Sequence, residues 1–383
     1  MRGWVVVVVA MIGLPVAAQT PIEINSTLQT GWTSNATDSA AGSGDFYATH
    51  SHEMTLVSGT ERFVLRGTLA LSQTRSLATD FEYDDEVRGG VEAEFALGTN
   101  AALRLGYGVT QSWSGDDLAI AGLLLETRGS QTRHEVVLET SVVGDDQQAT
   151  LGLYGSWNLE GETTLVGLGL PPLRLKPDVG LIEGRLAWEA AVSSNVAVLG
   201  NLHAWMPQMS VGDQLDFLRA PADAGRVSGG LRLQDGMIAA EAVGGVDMVW
   251  PKARPELAVL LPYFRVEASL TPMPELTVTA GTGTDLDLVD PLDGVASQTA
   301  AASLNATLRV AEGMELFAQT AATLEQGLYD TSLVGQTRSV SVGFRQAIAE
   351  AFGYGVAASL GRYDTPGESY DKAGIAVSLK TRL

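Results

Sequence analysis

The sequence predicts an all-β chain that folds as a single closed antiparallel transmembrane β-barrel of about 18–20 strands, within a range of about 16–20. Three observations lead to this prediction: an N-terminal export leader, alternation of apolar and polar residues along most of the chain, and alternation of short with long connections. We therefore divide the chain into a signal peptide, residues 1–18, and a β-barrel, residues 19–383.

The leader has the three parts of a secretory signal peptide. After a short basic start, Trp4–Gly13 is apolar, Pro15 interrupts it, and Val16-Ala17-Ala18 provides small residues for cleavage before Gln19. The apolar stretch is too short to cross a hydrocarbon layer of roughly 30 Å as a helix. We therefore expect the chain to be exported.

Composition excludes several classes of function. The chain contains no Cys, which rules out disulfides, thiolate metal sites and Cys nucleophiles. Its net charge of −21 opposes binding to nucleic acid, because such binding needs basic residues to displace counterions. No apolar run after the leader is long enough for a transmembrane helix, and we expect no cofactor.

Apolar and polar residues alternate over most of residues 19–383. In residues 303–310, Leu304 and Leu308 fall on one face while Asn305 and Arg309 fall on the other. Side chains alternate across a pleated strand, so this pattern predicts strands with one apolar face. Such segments recur about every 15–20 residues and number about 20. The alternation is weakest in residues 118–127 and 163–170.

Two kinds of connection separate these segments. The short ones contain turn-forming pairs, namely Gly59-Thr60, Thr99-Asn100, Ser194-Asn195, Asp235-Gly236 and Glu312-Gly313. The long ones are residues 34–45, 74–86, 206–225, 285–298, 325–336 and 363–371. Barrels of the outer membrane have tight periplasmic turns and longer external loops, so we place the long connections outside.

Tryptophan placement is consistent with two interfacial girdles. Amphipathic aromatic residues gather at both membrane surfaces. We predict Trp32, Trp113, Trp205 and Trp250 at the outer ends of strands, and Trp157 and Trp188 toward the inner ends.

With these features the chain resembles the porin-like outer-membrane β-barrels of Gram-negative bacteria. The resemblance rests on the Val16-Ala17-Ala18 leader, the alternating connections and a closing strand that reaches Leu383. It implies a place in the bacterial outer membrane, contact with lipid and lipopolysaccharide, and recognition of the C-terminal strand by the insertion machinery. The chain departs from the family at Leu383, where such barrels often end in an aromatic residue.

A barrel of this strand number is too wide for its own side chains to fill. We expect passive diffusion of small hydrophilic solutes or ions and no enzyme activity, and no plug ahead of the first strand at Ile22. The net charge suggests a weak cation preference. Charged residues predicted to line the lumen and to set selectivity are Arg62, Arg66, Arg88, Glu92, Glu94, Arg104, Glu135, Glu139, Glu183, Arg185, Glu241, Arg265 and Glu267.

The lumen charges could act in two ways. One possibility is that they create a transverse field across the lumen, with Arg62, Arg66, Arg88 and Arg104 facing Glu135, Glu139, Glu183 and Glu241. The alternative is a salt-bridged lining that stiffens the wall and selects nothing.

Two kinds of loop invite a specific hypothesis. Residues 206–225, with Asp213, Asp216 and Arg219, could fold inward as a constriction or remain a solvated surface loop. The acidic loops could offer Asp84, Asp85, Asp287 and Asp290 to Ca²⁺ or Mg²⁺, or could only add solubility.

Two other functions remain open at this point. One is a structural or adhesive barrel with a blocked lumen. The other is an outer-membrane hydrolase, for which His50, Ser51 and His52 near the outer end of the second strand are the candidate residues.

Overall fold

The computed structural model describes residues 22–36, 42–78, 83–120, 123–166, 168–366 and 368–382, and all of their side chains except those of residues 116–120 and 123–125. The predicted signal peptide and Leu383 lie outside the described residues.

The described chain is almost entirely strand. The strands are β1 (Ile22–Thr33), β2 (Asp45–Thr60), β3 (Phe63–Ser76), β4 (Tyr83–Ala96), β5 (Ala101–Ile120), β6 (Leu123–Val143), β7 (Gln147–Glu160), β8 (Thr164–Leu165), β9 (Val179–Ala191), β10 (Val196–Gln208), β11 (Ala222–Asp235), β12 (Ile238–Pro251), β13 (Val259–Met273), β14 (Leu276–Asp287), β15 (Ser297–Ala311), β16 (Met314–Gly327), β17 (Val334–Ala349), β18 (Phe352–Thr365) and β19 (Glu368–Arg382). Helix α1 (Val211–Asp216) and a 3-10 turn (Pro255–Leu257) lie in connections. Within the described ranges, no helix is long and apolar enough to cross a membrane.

The strands close into a barrel. Apart from β8, each strand pairs antiparallel with the next along the chain; β7 pairs directly with β9, and β19 pairs with β1. The wall therefore has 18 strands, which confirms the predicted fold and falls within the predicted range. Closure matters because it leaves no sheet edge unpaired.

The segments with weak alternation explain why the count is below 20. Residues 118–120 and 123–127 pair with each other at the ends of β5 and β6, and within the described part of 163–170 the only strand is β8, which pairs with β6 and adds no strand to the wall. Pro171 and Pro172 follow at once, and proline cannot donate a hydrogen bond to a strand ladder.

The connections separate by length at the two ends of the barrel. One end carries short turns, including two in which Gly236 and Gly313 adopt positive φ values of 44° and 70°. The other end carries the longer connections 161–178, 209–221, 252–258, 288–296 and 328–333. The predicted long loop 363–371 is wrong: β18 and β19 continue through it, and Tyr363 stacks on Tyr370 with ring centroids 5.0 Å apart.

The two faces of the wall differ in chemistry. Residues paired across neighbouring strands share a face, so the register assigns every side chain. On the outer face the successive partners Leu105, Leu138 and Leu153 are 41%, 40% and 52% exposed. The opposite, lumen face carries most of the charged and hydroxyl side chains. An apolar outer band around a polar interior is the pattern of a membrane-spanning barrel.

A buried apolar cluster lies inside the mouth at the long-loop end. Trp205, Ala222, Ala224 and Val249 come from β10, β11 and β12, and Leu288 and Ala296 come from the β14–β15 connection. The connection 288–296 therefore packs inward against the wall.

Candidate channel lumen

A row of charged side chains crosses seven neighbouring strands of the lumen face. Consecutive partners in the register from β5 to β12 are Arg104, Glu139, Gly152, Arg185, His203, Arg226 and Asp247. We call the charged members of this row the charged belt. It exists because six of the seven strands place a polar side chain at the same level of the lumen face, and β7 places Gly152 there.

At the β3 end, the belt continues as a ladder of ion pairs. Glu92 accepts hydrogen bonds from Arg66 at 3.4 Å and from Arg104 at 2.6 Å. On β7, the Tyr154 hydroxyl donates to Glu139 at 2.5 Å. These contacts hold acids and bases of neighbouring strands against each other.

At the centre of the belt, one carboxylate oxygen of Glu183 contacts both Arg185 and His203. Arg185 donates to Glu183 at 2.6 Å, and the Nε2 atom of His203 lies 2.9 Å from the same carboxylate oxygen. The Arg185 guanidinium also stands over the Tyr154 ring, 4.8 Å from its centroid. The contacts therefore run without a break from β6 to β10.

Arg226 is the most enclosed base of the belt, with a side chain that is 9% exposed. It donates to both oxygens of Asp247 at 2.6 and 2.9 Å and to Asp285 at 3.0 Å. Its guanidinium lies 3.6 Å from the ring centroid of Tyr263 and 5.0 Å from that of Trp205. Sequence reasoning missed Arg226 and Asp247, although both fall on the polar face of their strands.

The other predicted lumen charges also sit beside partners. Arg265 pairs with Glu267 at 2.6 Å, and Arg232 pairs with Glu241 at 2.9 Å. The pairs Arg88–Glu86 and Arg133–Glu135 are 3.3 and 2.8 Å apart, and Glu94 lies opposite Arg104 in the register. Arg62 lies in the turn between β2 and β3 at the short-turn end. The partners occupy the same or adjacent strands, which is the arrangement expected of a salt-bridged lining, and a transverse field across the lumen stays a prediction.

At mid-height, the lumen face from β14 to β19 carries neutral residues. A second row of register partners from β14 to β19 consists of Thr279, Asn305, Gln319, Ser341, Ser359 and Gly374. We call it the neutral row. The lumen thus has one charged arc and one neutral arc.

A cavity of about 920 Å³ lies between the two arcs, under Leu288 and Val289 of the inward connection. On its charged side, the side chains of Arg185, Arg265, Glu267 and Asp285 are 51%, 53%, 54% and 73% exposed. Its neutral side includes Thr299, Ser303 and Thr323, all on the lumen face. Water and a polar solute can therefore reach charges of both signs and hydroxyl groups in one place.

The connection 209–221 is tied to its neighbours. Asp213 is buried and accepts a hydrogen bond from Arg174 at 2.9 Å, Arg219 donates to Asp290 at 2.5 Å, and Asp216 is exposed. The connection that reaches the cavity is 288–296, which sequence reasoning treated as a solvated acidic loop. The sequence feature that could have indicated its inward packing is its apolar residues, which include Leu288 and Val295.

The neighbouring connection 328–333 is attached to the same loop. Asp293 accepts a hydrogen bond from the backbone N–H of Tyr329 at 2.6 Å, and the Tyr329 hydroxyl donates to the carbonyl of Leu257 at 3.3 Å. Burial raises the pKa of the Tyr329 phenol, and the nearby Asp293 raises it further. These loops form one packed assembly at this side of the mouth.

The acidic residues proposed for a metal do not converge. Asp85 pairs with Arg75 at 2.6 Å on the outer face, whereas its neighbour Asp84 belongs to the lumen face. Asp287 accepts hydrogen bonds from the backbone of Val289 and Asp290, and Asp290 pairs with Arg219. Across the described ranges, no three His, Asp or Glu residues form a group that could hold a metal ion.

The predicted tryptophan girdles need two corrections. Trp32, Trp113 and Trp250 lie on the outer face toward the long-loop end, and Trp188 lies on the outer face toward the short turns, as predicted. Trp157 is also near the long-loop end, because β7 starts from a short turn. Trp205 instead shares the lumen face with Asn201 and His203 and is 8% exposed.

The candidate hydrolase residues are separated by the pleat of β2. The His50 and His52 rings lie on the outer face with centroids 4.1 Å apart, while Ser51 lies on the lumen face. Adjacent strand residues point to opposite faces. This alternation keeps Ser51 from its two neighbours, so the arrangement proposed for hydrolysis is not formed.

Comparison with known proteins gives structural matches alone. No protein-family model matches the chain, and no curated protein matches it. The fold is similar to the copper transporter OprC, with a TM-score of 0.53 and 12% identity over 91% of this chain and 62% of that one. It is also similar to OccK9 (OpdG) of Pseudomonas aeruginosa, with a TM-score of 0.50 and 13% identity over 95% of this chain and 98% of that one.

A further similar structure is OccK2 (OpdF) of Pseudomonas aeruginosa in complex with glucuronate, with a TM-score of 0.50 and 12% identity over 94% of this chain and 98% of that one. The chain spans less than two thirds of the length of OprC. At these identities the similarity shows the fold, which is that of Gram-negative outer-membrane β-barrel proteins.

Proposed function

We propose that the chain is a porin-like channel of the bacterial outer membrane through which small hydrophilic solutes or ions diffuse passively. The observation that carries this proposal is the lumen lined by charged and hydroxyl side chains within a closed 18-strand wall. Barrels of about 16–18 strands leave an aqueous channel, whereas those of about 22 strands hold a plug. A polar lining lets a hydrated solute exchange water for hydrogen bonds along its path.

The membrane setting is part of the same proposal. The apolar outer face would contact lipid, and the long-loop end would face the lipopolysaccharide leaflet. Residues 1–18 would direct export, and β19 would be the strand that the insertion machinery recognises. The glucuronate bound to OccK2 supports a small hydrophilic solute as the class of cargo.

The exposed charges at the cavity are the best candidates for selectivity. We assign this role first to Arg185, Arg265, Glu267 and Asp285, because they face the cavity and remain accessible beside their partners. The other predicted lumen charges would contribute a paired lining. The connection 288–296 would form the constriction.

A barrel with a blocked lumen is the second candidate. The inward cluster that includes Trp205, Leu288 and Ala296 favours it, because it fills part of the mouth. The two functions differ in whether ions cross the membrane through the barrel.

Single-channel recording separates them. The mature protein, residues 19–383, is refolded in detergent and added to a planar bilayer. We expect current steps of uniform size. Protein that inserts, as verified by protease protection of the strands, but never conducts would overturn the channel and leave the blocked barrel.

A further inference from the structure

A polar patch interrupts the apolar outer face on β1, β2 and β3. It consists of Ser26, His50, His52 and Gln73, and we call it the histidine patch. The register places Ser26 opposite His52 and His50 opposite Gln73. The Ser26 hydroxyl lies 2.7 Å from Nδ1 of His52, and the two imidazoles meet edge to face. Four polar groups thus share one small area of the wall.

The patch lies within the predicted apolar band. Phe46 of β2 stands on the outer face toward the long-loop end, and Phe63 of β3 stands at the short-turn end. Between them, Leu28 and Leu71 flank the patch and are 43% and 41% exposed. Ionisable side chains at this depth are rare and costly when they face hydrocarbon, because lipid tails offer no hydrogen bonds.

A third outer-face histidine shows how the wall can provide such a residue with a hydrogen-bond partner by itself. His134 of β6 receives its partner from β5, with its Nδ1 atom 2.9 Å from the Tyr107 hydroxyl. Within the described part of the chain, the side chains of His50 and Gln73 have no hydrogen-bond partner. His50 and Gln73 therefore lack the hydrogen-bond partner that the wall supplies to His134 and that Ser26 supplies to His52.

We propose that the histidine patch is a contact surface for a second copy of this chain in the membrane. Copies inserted by one route have the same orientation, so a two-fold axis along the membrane normal brings the patch to its equivalent at the same depth. Imidazole and amide groups both donate and accept, which makes the patch complementary to itself. Such a two-fold contact is the commonest arrangement of homo-oligomers. The inference rests on membrane insertion but does not require an open lumen.

Because the chain has no Cys, single cysteines can report this contact without background. Leu28→Cys and Leu71→Cys place a thiol beside the patch. Leu304→Cys and Val340→Cys are matched controls on β15 and β17, since these side chains are 47% and 50% exposed on the outer face. Each variant is oxidised in native outer membranes. We expect disulfide-linked dimers of this chain from the first two variants.

Dimers no more abundant than in the controls would overturn the proposal. Mass spectrometry of the cross-linked band must find this chain alone, and a band containing a different protein would also overturn it.

The second test removes the polar groups. His50→Leu with His52→Leu, in the Leu28→Cys background, should reduce the cross-linked fraction by about tenfold through loss of hydrogen bonds between copies. His134→Leu in the same background is the control and should leave the fraction unchanged. Equal cross-linking in both would assign the contact to something other than the patch. Single-channel recording of the same variants keeps a failure of the channel proposal separate, because a closed barrel can still dimerise.

Discussion

At the residue scale, the buried pair Arg226–Asp247 should dominate the stability of the lumen wall. Asp247 is fully buried, and its removal in Asp247→Ala leaves an enclosed guanidinium with Asp285 as its remaining acid. Breaking a buried pair costs about 3–5 kcal/mol, and the remaining bond to Asp285 points to the low end. Urea unfolding of the refolded barrel measures this loss. Glu267→Ala breaks the exposed pair with Arg265 and should cost less than about 1 kcal/mol, so equal losses would contradict the prediction.

Alternation predicted the faces of many residues but not their partners. Arg66, Glu92 and Arg104 lie on the lumen face, as expected from the period of two. Which acid each arginine meets depends on the stagger between strands, and a sequence does not show that stagger. Trp205 was misplaced for a different reason. The prediction followed its position near the end of a strand. The alternation along β10, in which Trp205 falls on the same face as Asn201 and His203, indicated the lumen face correctly.

At the element scale, the connection 288–296 depends on a few apolar contacts to hold its inward position. Leu288 is 6% exposed and packs in the cluster with Trp205 and Val249. Leu288→Ala should weaken that packing by about 2–5 kcal/mol. We expect faster proteolysis within 288–296 and a larger, noisier single-channel conductance. Leu215→Ala on α1, where the side chain is 71% exposed, is the control and should change neither.

Elements were predictable where the wall repeats and were not where loops pack. The strands and most turns follow from alternation and turn-forming residues. The fold of a long connection depends on contacts with other connections, such as Arg174 with Asp213 and Arg219 with Asp290. These partners are 39 and 71 residues apart in the chain. No local pattern encodes such pairs, which is why the sequence did not indicate that connection 288–296 packs inward.

At the scale of the whole molecule, the strand number sets the width, and the two arcs divide the lumen. Closure through β19 and β1 makes every strand depend on its neighbours. In the proposed channel, the neutral row would offer a solute hydroxyl and amide groups, and the charged belt would provide the electrostatic field. Because most charges are paired with a partner on the same or an adjacent strand, that field should be short-ranged, and the accessible groups at the cavity should decide its sign.

The ion preference of the proposed channel depends on the numbers of acidic and basic groups that line the cavity. Five carboxylates line the cavity, those of Glu183, Glu241, Glu267, Asp285 and Asp287, against three guanidiniums, those of Arg185, Arg226 and Arg265. We therefore expect a reversal potential of cationic sign across a salt gradient. Glu267→Gln with Asp285→Asn should move that potential toward anions, and Arg185→Gln should move it further toward cations.

Salt concentration provides the control for this assignment. The Debye length falls from about 10 Å at 0.1 M to about 3 Å at 1 M, so the preference should weaken in concentrated salt if cavity charges cause it. Glu315→Gln, a substitution near the short-turn end of β16, should leave the reversal potential near that of the unchanged protein. A preference that survives the substitutions at Glu267 and Asp285 would place selectivity elsewhere, with the acidic connections at the mouth as the next charges to neutralise.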